Sequence, residues 1–300
     1  MPLADARSAG GGTHAGCVSL IVTTYNRPDA LRRVLEALFA QDDPCFEVVV
    51  ADDGSREPTR EMLRAAARAA HAPGLRRLVH AWHPDDGFRA AAARNMAVAA
   101  SVGDYLLFLD GDCVPRPDFV ARHRLLAEPG RMVTGSRVLL GRELTARALD
   151  DREPLADRPL AFWIGQRLRR QANKAVPLLR LGDSRLRRYR RVEWRRIKSC
   201  NLAVWRSDFD RVDGFDESFV GWGHEDADLA LRLARAGVGR KGGAFSTEVF
   251  HLWHPENARD LEADNRRRVE ERVASGQVRA TRGLSAHPAP GESIEVLTPG

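Results

Sequence analysis

From Val18 onward, short and almost uninterrupted apolar runs alternate with longer stretches whose apolar positions recur every three to four residues. VSLIVT (Val18–Thr23), FEVVVA (Phe46–Ala51), RLVHAW (Arg77–Trp82) and YLLFLD (Tyr105–Asp110) are rich in β-branched and apolar residues and predict strands. Their near-continuous apolar character predicts a sheet buried on both faces. Between them, DALRRVLEALFA, TREMLRAAARAA and RAAAARNMAVAA have helical period or propensity. Strands joined by right-handed helical crossovers give a doubly wound α/β sheet of the nucleotide-binding type.

The second half is less regular. Gly141 to Glu193 is arginine-rich and weakly patterned apart from LAFWIG (Leu160–Gly165), which reads either as an inserted helical hairpin or as a mobile loop. In IKSCNLAVWRSDFDRVDGFDESF a short strand then leads into a one-turn helix opened by Ser207. In GWGHEDADLALRL, Ala227, Ala230, Leu231 and Ala234 recur at i, i+3, i+4 and i+7 and predict a packed helix ending at Ala236. A strand near Phe245–Phe250 and a charged helix from Ala258 to Val273 follow, and the Pro/Gly-rich end predicts disorder. One domain over residues 17–274 results, with a first half at 17–140, a basic insert at 141–195 and a second half at 196–274, between disordered tails at 1–16 and 275–300.

Composition narrows the class. An apolar fraction of 43% and a charged fraction of 29% fit a soluble globular chain. No spanning-length apolar run and no signal-peptide core is present, so the expected location is cytoplasmic, with peripheral contact at the inner membrane face. Cys17, Cys45, Cys113 and Cys200 form no CxxC pair and indicate neither a zinc site nor a disulfide framework. The net charge of +6 is local: residues 166–198 carry thirteen Arg and Lys against Asp183 and Glu193, a balance of +11, which leaves the rest at −5. Such a patch suits an anionic membrane or a diphosphate-linked lipid, whereas nucleic acid is not expected of a fold that is otherwise acidic.

In doubly wound sheets ligands bind at the carboxyl ends of the strands, and here those ends carry TTYNRPD, DDGS, HPDDGFR and DGD. Asp110 and Asp112 lie two residues apart, the spacing at which both can turn to one ligand. Hard divalent cations take such carboxylates together with substrate phosphates, although Asp-Gly-Asp alone reads equally as a turn. His251 and His254 in FHLWH offer imidazoles suited to Mn²⁺-like ions. Glu225, Asp226 and Asp228 complement the dipole of a helix start, and the same acids could supply a catalytic carboxylate.

The segments VSLIVTTYNRPDALRRVLEALFAQ…FEVVVADDGS, GFRAAAARN and YLLFLDGDCVPRPDFV resemble the nucleotide-sugar-binding half of family 2 glycosyltransferases. GFDESFVGWGHEDADLALRL and HLWH resemble the C-terminal half of chondroitin-polymerase-type, β-1,4-galactosyl- and polypeptide N-acetylgalactosaminyltransferases. The resemblance implies a GT-A fold with a mixed central sheet and inverting, metal-dependent transfer from a UDP-sugar (hexose or N-acetylhexosamine) to a glycan, glycolipid or other hydroxyl acceptor, as in polysaccharide or glycoconjugate synthesis. By position, Thr23, Tyr25, Arg27, Asp53, Arg89, Arg94 and Asn95 bind the nucleotide-sugar, with Asp53 on uracil N3–H. Asp112 holds the metal, Mn²⁺ with Mg²⁺ as the alternative ion, with Asp110 on ribose or metal and His251 or His254 completing the set. Asp226 is the general base, while Glu225, Trp222 and Gly223 hold the acceptor. An inactive glycan-binding relative would lack the base or the metal acids, and a nucleotidyltransferase would open with a glycine-rich phosphate loop that TTYNRPD is not.

Overall fold

The computed structural model describes residues 16–156, 158–175, 179–256, 259–287 and 293–297. The alternating first half folds as β1 (Val18–Thr24), α1 (Pro28–Phe39), β2 (Phe46–Asp52), α2 (Glu57–Ala69), β3 (Leu75–Trp82), α3 (Ala90–Ala100) and β4 (Tyr105–Asp110). Each helix returns the chain so that β1 pairs in parallel with both β2 and β4, and β2 with β3. Side chains alternate between two cores. Leu20 and Val22 pack on one face with Leu31, Leu35 and Leu63, and Ile21 packs on the other with Ala93, Ala97 and Phe108.

The second half supplies β5 (Cys113–Val114), α4 (Phe119–Leu126), β6 (Arg131–Thr134), β7 (Arg137–Leu139), α5 (Arg142–Leu149), α6 (Leu160–Leu168), β8 (Arg188–Tyr189) and β9 (Asn201–Trp205). Then come α7 (Arg206–Arg211), α8 (Glu225–Arg235), β10 (Gly239–Gly242), β11 (Val249–His251), α9 (Glu262–Ser275) and β12 (Ile294–Leu297). The main sheet runs β12-β3-β2-β1-β4-β9-β6-β10-β8, and β5-β11-β7 form a small second sheet. Because β9 is antiparallel to β4, with Asn201 opposite Leu109, the start of β9 lies at the carboxyl ends of the parallel strands. The sheet is therefore mixed, as expected. No helix among the described residues is long and apolar enough to cross a membrane.

Several local expectations change. The basic insert is ordered where it is described: α5 and α6 form, and Arg187 donates to the carbonyls of Gly182, Gly242 and Ala244 at 2.8, 2.9 and 2.6 Å. Ser207 does not open α7, which begins at Arg206 with Trp205 at its cap. The late strand is confined to Val249–His251, because Phe245 takes a left-handed φ of 60° in the turn before it. Of the two tails expected to be disordered, residues 1–15 lie outside the described residues, but the C-terminal one is structured over 275–287 and 293–297. Its backbone finds buried carboxylate acceptors: Thr281 N–H donates to Asp216 at 2.7 Å and Ser285 N–H to Asp213 at 2.8 Å. Further on, β12 adds an antiparallel edge to β3. Pro and Gly content argues against helix but leaves such edge pairing open.

Candidate active site

The four polar strand ends and the start of α8 enclose an open cleft of about 650 Å³. Of the residues selected from sequence, Thr23, Tyr25, Arg27, Asp53, Arg94, Asp110, Asp112, Trp222, Gly223, Glu225, Asp226, His251 and His254 line it. Arg89 and Asn95 do not. Arg89 turns its guanidinium to Pro84 O at 2.7 Å, and its backbone N–H donates to Asp53 Oδ2 at 2.8 Å, so it positions Asp53 from outside the cleft. Asn95 is fully buried, bonding Phe215 through both its amide nitrogen and its amide oxygen, and it braces the loop before α8. One residue along a helix is a rotation of about 100°, so Arg94 and its neighbour Asn95 point to different surroundings.

At the end of the cleft nearest β2, Asp53 is buried, with Oδ1 3.2 Å from His83 Nε2. Burial works against the His83 cation, but Asp53 and the Pro84 backbone together outweigh it, leaving the His83 pKa raised. Asp52 is a strand-end structural residue: its oxygens take Ser55 N–H and His80 Nε2 at 2.8 Å each. Tyr25, half exposed at the mouth, donates to Asp85 at 2.8 Å, and Arg27 Nη1 lies 3.8 Å from Asp112 Oδ2.

In the centre, Asp112 faces two imidazoles, Oδ1 at 3.6 Å from His251 Nε2 and Oδ2 at 3.3 Å from His254 Nε2. The Nδ1 of His254 lies 2.6 Å from Pro255 O, and a carbonyl can only accept, so Nδ1 carries the proton. In the neutral ring Nε2 then turns a lone pair toward the carboxylate, an arrangement that gains most from a cation between them. Burial, against the pull of Asp112, lowers the His251 pKa and keeps that ring a neutral donor. The donor set of Asp112, His254 and His251, with Asp110 beside it, fits a divalent cation of the Mn²⁺ type. Cys113, absent from the sequence-based set, has its Sγ 3.7 Å from Asp112 Oδ1, but burial pushes its thiol well up, so it is a neutral neighbour and a poor ligand.

At the other end the backbone is bent to present α8. Gly221, Gly223 and His224 all have left-handed φ, at 79°, 99° and 75°. A side chain at Gly221 would also meet Leu261 Cβ at 2.8 Å, whereas Gly223 has open space and is constrained by its φ alone. The turn sets Glu225 and Asp226 at the first positions of α8, both buried and both on the cleft. Burial, reinforced by the Glu225 charge and opposed by Lys198 and Arg94, pushes the Asp226 carboxyl up to about 6. Trp222 presents its ring beneath Arg259, 4.7 Å from the centroid. Arg137, Lys198, Trp253 and Arg259 also line the cleft, and the sequence reading missed them. Lys198, whose Nζ is 3.7 Å from Asp226 Oδ2, leads into the antiparallel β9, and only the sheet topology carries that point to the cleft.

The model for glycosyl transferase family 2 matches residues 19–191, and that for the N-terminal domain of galactosyltransferase matches residues 186–255. Among curated relatives, validoxylamine A glucosyltransferase of Streptomyces hygroscopicus subsp. jinggangensis (strain 5008) is 30% identical, covering 93% of this chain and 63% of its own length. The homologous enzyme of S. hygroscopicus subsp. limoneus is also 30% identical, with 59% of its length covered, so the chain spans about three fifths of these relatives. Hyaluronan synthase of Pasteurella multocida is 29% identical over 75% of this chain and 23% of its own. Among solved structures, the mannosyltransferase PcManGT from Pyrobaculum calidifontis, in complex with GDP-Man and Mn²⁺, superposes with a TM-score of 0.55 at 20% identity, covering 90% of this chain and 68% of that one. TarS residues 1–349 from S. aureus, in complex with UDP-GlcNAc, gives 0.57 at 14%, covering 91% and 69%. Sheet order, cleft position and family match agree: the fold is GT-A, and the chain belongs to glycosyltransferase family 2.

Proposed function

We propose that the chain transfers a hexose or N-acetylhexosamine from a UDP-sugar to a hydroxyl of a glycan, glycolipid or related acceptor, with inversion at the anomeric carbon. The observation that carries this reading is Asp226, a buried carboxylate pushed up to about 6 that faces the same cleft as Asp53 and Asp112. The acceptor oxygen attacks the anomeric carbon, its proton passes to Asp226, and the bond to the diphosphate breaks with its electron pair leaving on the nucleotide. A base poised near working pH suits this single displacement. Asp53 accepts the uracil N3–H, Asp112 with His254 and His251 holds the cation, and Trp222 with Glu225 packs and orients the acceptor sugar. The chemistry a divalent cation supplies when bound is Lewis-acid stabilisation of the departing diphosphate. The glucosyltransferase relatives support a hexose donor, the TarS complex with UDP-GlcNAc supports an N-acetylhexosamine one, and the PcManGT complex supports Mn²⁺.

A donor screen tests it. UDP-glucose, UDP-galactose, their N-acetylated forms and UDP-glucuronate, with GDP-mannose as a contrast, are assayed for nucleotide release with Mn²⁺ and after chelation. Metal-dependent UDP release with at least one UDP-sugar is expected. No turnover or binding of any donor, with Asp112→Ala indistinguishable from the parent, overturns the reading.

A further inference from the structure

The outward face of α6 is apolar. Leu160, Ile164 and Leu168 follow at i, i+4 and i+8 and so share one stripe, at 36%, 49% and 80% exposure. The other side of the helix is committed to the core: Trp163 is fully buried and stacks on Phe250 with centroids 4.5 Å apart, and Gln166 is buried. Single exposed leucines are ordinary, whereas an exposed stripe marks a contact surface. Its flank is cationic. Arg167 lies beside the stripe and Arg169 and Arg170 follow the helix end, all exposed and without a carboxylate partner among the described residues. Leu186, 96% exposed, sits between Arg185 and Arg190 in the same basic segment.

The stripe is coupled to the cleft wall. Immediately after Arg170, the chain pairs with β7: Asn173 N–H donates to Leu139 O at 3.1 Å, Leu139 N–H to the Asn173 side chain at 2.8 Å, and Ala172 bridges Leu140. Leu139 and Leu140 line the cleft. A partner seated on α6 is therefore next to the cleft rim.

We propose that this face docks on an anionic phospholipid bilayer, with Leu160, Ile164 and Leu168 entering the acyl boundary and Arg167, Arg169 and Arg170 meeting headgroup phosphates. Apolar side chains set beside unpaired cations are the chemistry of an interfacial helix. A second copy of the chain would bring a segment of charge +11 against its like, and a nucleic acid backbone offers nothing to the leucines. Docking does not depend on the proposed transfer reaction. If that reaction holds as well, docking sets the cleft beside lipid-linked acceptors.

The test is co-sedimentation of the full chain with phosphatidylcholine vesicles containing or lacking about one third phosphatidylglycerol, at low and high salt. Binding only to the anionic vesicles, weakened by salt, is expected. Leu168→Glu, and separately Arg167→Gln with Arg169→Gln, should each raise the lipid concentration for half-binding by about tenfold or more. Unchanged thermal unfolding shows that these exposed variants still fold. The proposal is overturned by no binding to anionic vesicles or by undiminished binding of Leu168→Glu. It is equally overturned by a dimer in gel filtration that Leu168→Glu dissociates in a chain that ignores vesicles, which would make a second copy the occupant.

Discussion

Arg94 Nη1 donates to Glu225 Oε1 at 3.1 Å, joining α3 on one side of the cleft to α8 on the other. The same guanidinium donates to Thr23 Oγ1 at 3.0 Å and to Asp110 Oδ1 at 3.3 Å. It is 4% exposed, so its charge is held away from water against the buried Glu225, with the partly exposed Asp110 on its cleft side. Replacing Arg94 by Gln leaves Glu225 and Asp110 without their cation. Loss of a buried ion-pair partner costs about 3–5 kcal/mol, so a comparable fall in unfolding free energy by denaturant titration is expected. Arg94→Lys keeps the charge but not the fork, and should lose transfer rate more than stability.

Asp226→Asn tests the base. Nucleotide-sugar binding, read by calorimetry, should persist, while transfer falls by about 10²–10⁴-fold. The Asn oxygen can still accept the Ala227 N–H that Asp226 Oδ1 takes at 2.8 Å, so the helix start is retained. Normal transfer by this variant would move the base elsewhere.

The raised pKa also predicts two pH dependences. A base must be deprotonated, so kcat/KM should rise with pH and level off above about 6. The folded state holds this proton more tightly than the unfolded chain. Its stability cost is therefore absent below the ordinary value of 3.8, grows as pH rises, and is complete above about 6. At pH 8 Asp226→Asn should be more stable than the parent, by about 3 kcal/mol. A variant that gains stability as it loses activity separates catalytic from structural use of the residue.

Chelation should abolish transfer and added Mn²⁺ restore it. His254→Ala should raise the Mn²⁺ concentration for half-maximal activity by about tenfold or more, because its ring is held by Pro255 O with Nε2 aimed at Asp112. Unaltered metal dependence in this variant would leave the role to His251.

The C-terminal segment is predicted to be structural. Asp228, on α8 two residues after Asp226, is completely buried, with Arg232 Nε at 2.7 Å and Arg272 Nε at 2.9 Å. Arg272 also pairs with Asp216, which takes the Thr281 N–H. Arg272→Ala should cost about 3–5 kcal/mol, and ending the chain at Gly276 should lower the thermal midpoint without changing which nucleotide binds.

Much of this was legible in one dimension. Continuous apolar runs set against period-3.6 helices predicted β1 to β4 within a residue or two, because a strand covered on both faces must be apolar along its length. Polar punctuation at the ends of those strands predicted the cleft, since parallel crossovers bring the ends together whatever else the chain does. The acids of α8 could be read as a helix start, and the resemblance gave them a reacting partner.

Other features depended on which way a side chain turns and which distant segments meet. Arg94 and Asn95 are adjacent in sequence, yet the rotation of α3 sends one into the cleft and the other into the loop at Phe215. Lys198 reaches Asp226 because β9 runs antiparallel, a direction no local pattern encodes. The Pro/Gly-rich tail has low intrinsic order and gains it from the buried carboxylates of Asp213 and Asp216 and from the open edge of β3. Amino-acid type and period determined the elements and the chemistry available to them. The tertiary structure decided which carboxylates lost water and which charges they met, and those two quantities set the charge state of Asp226.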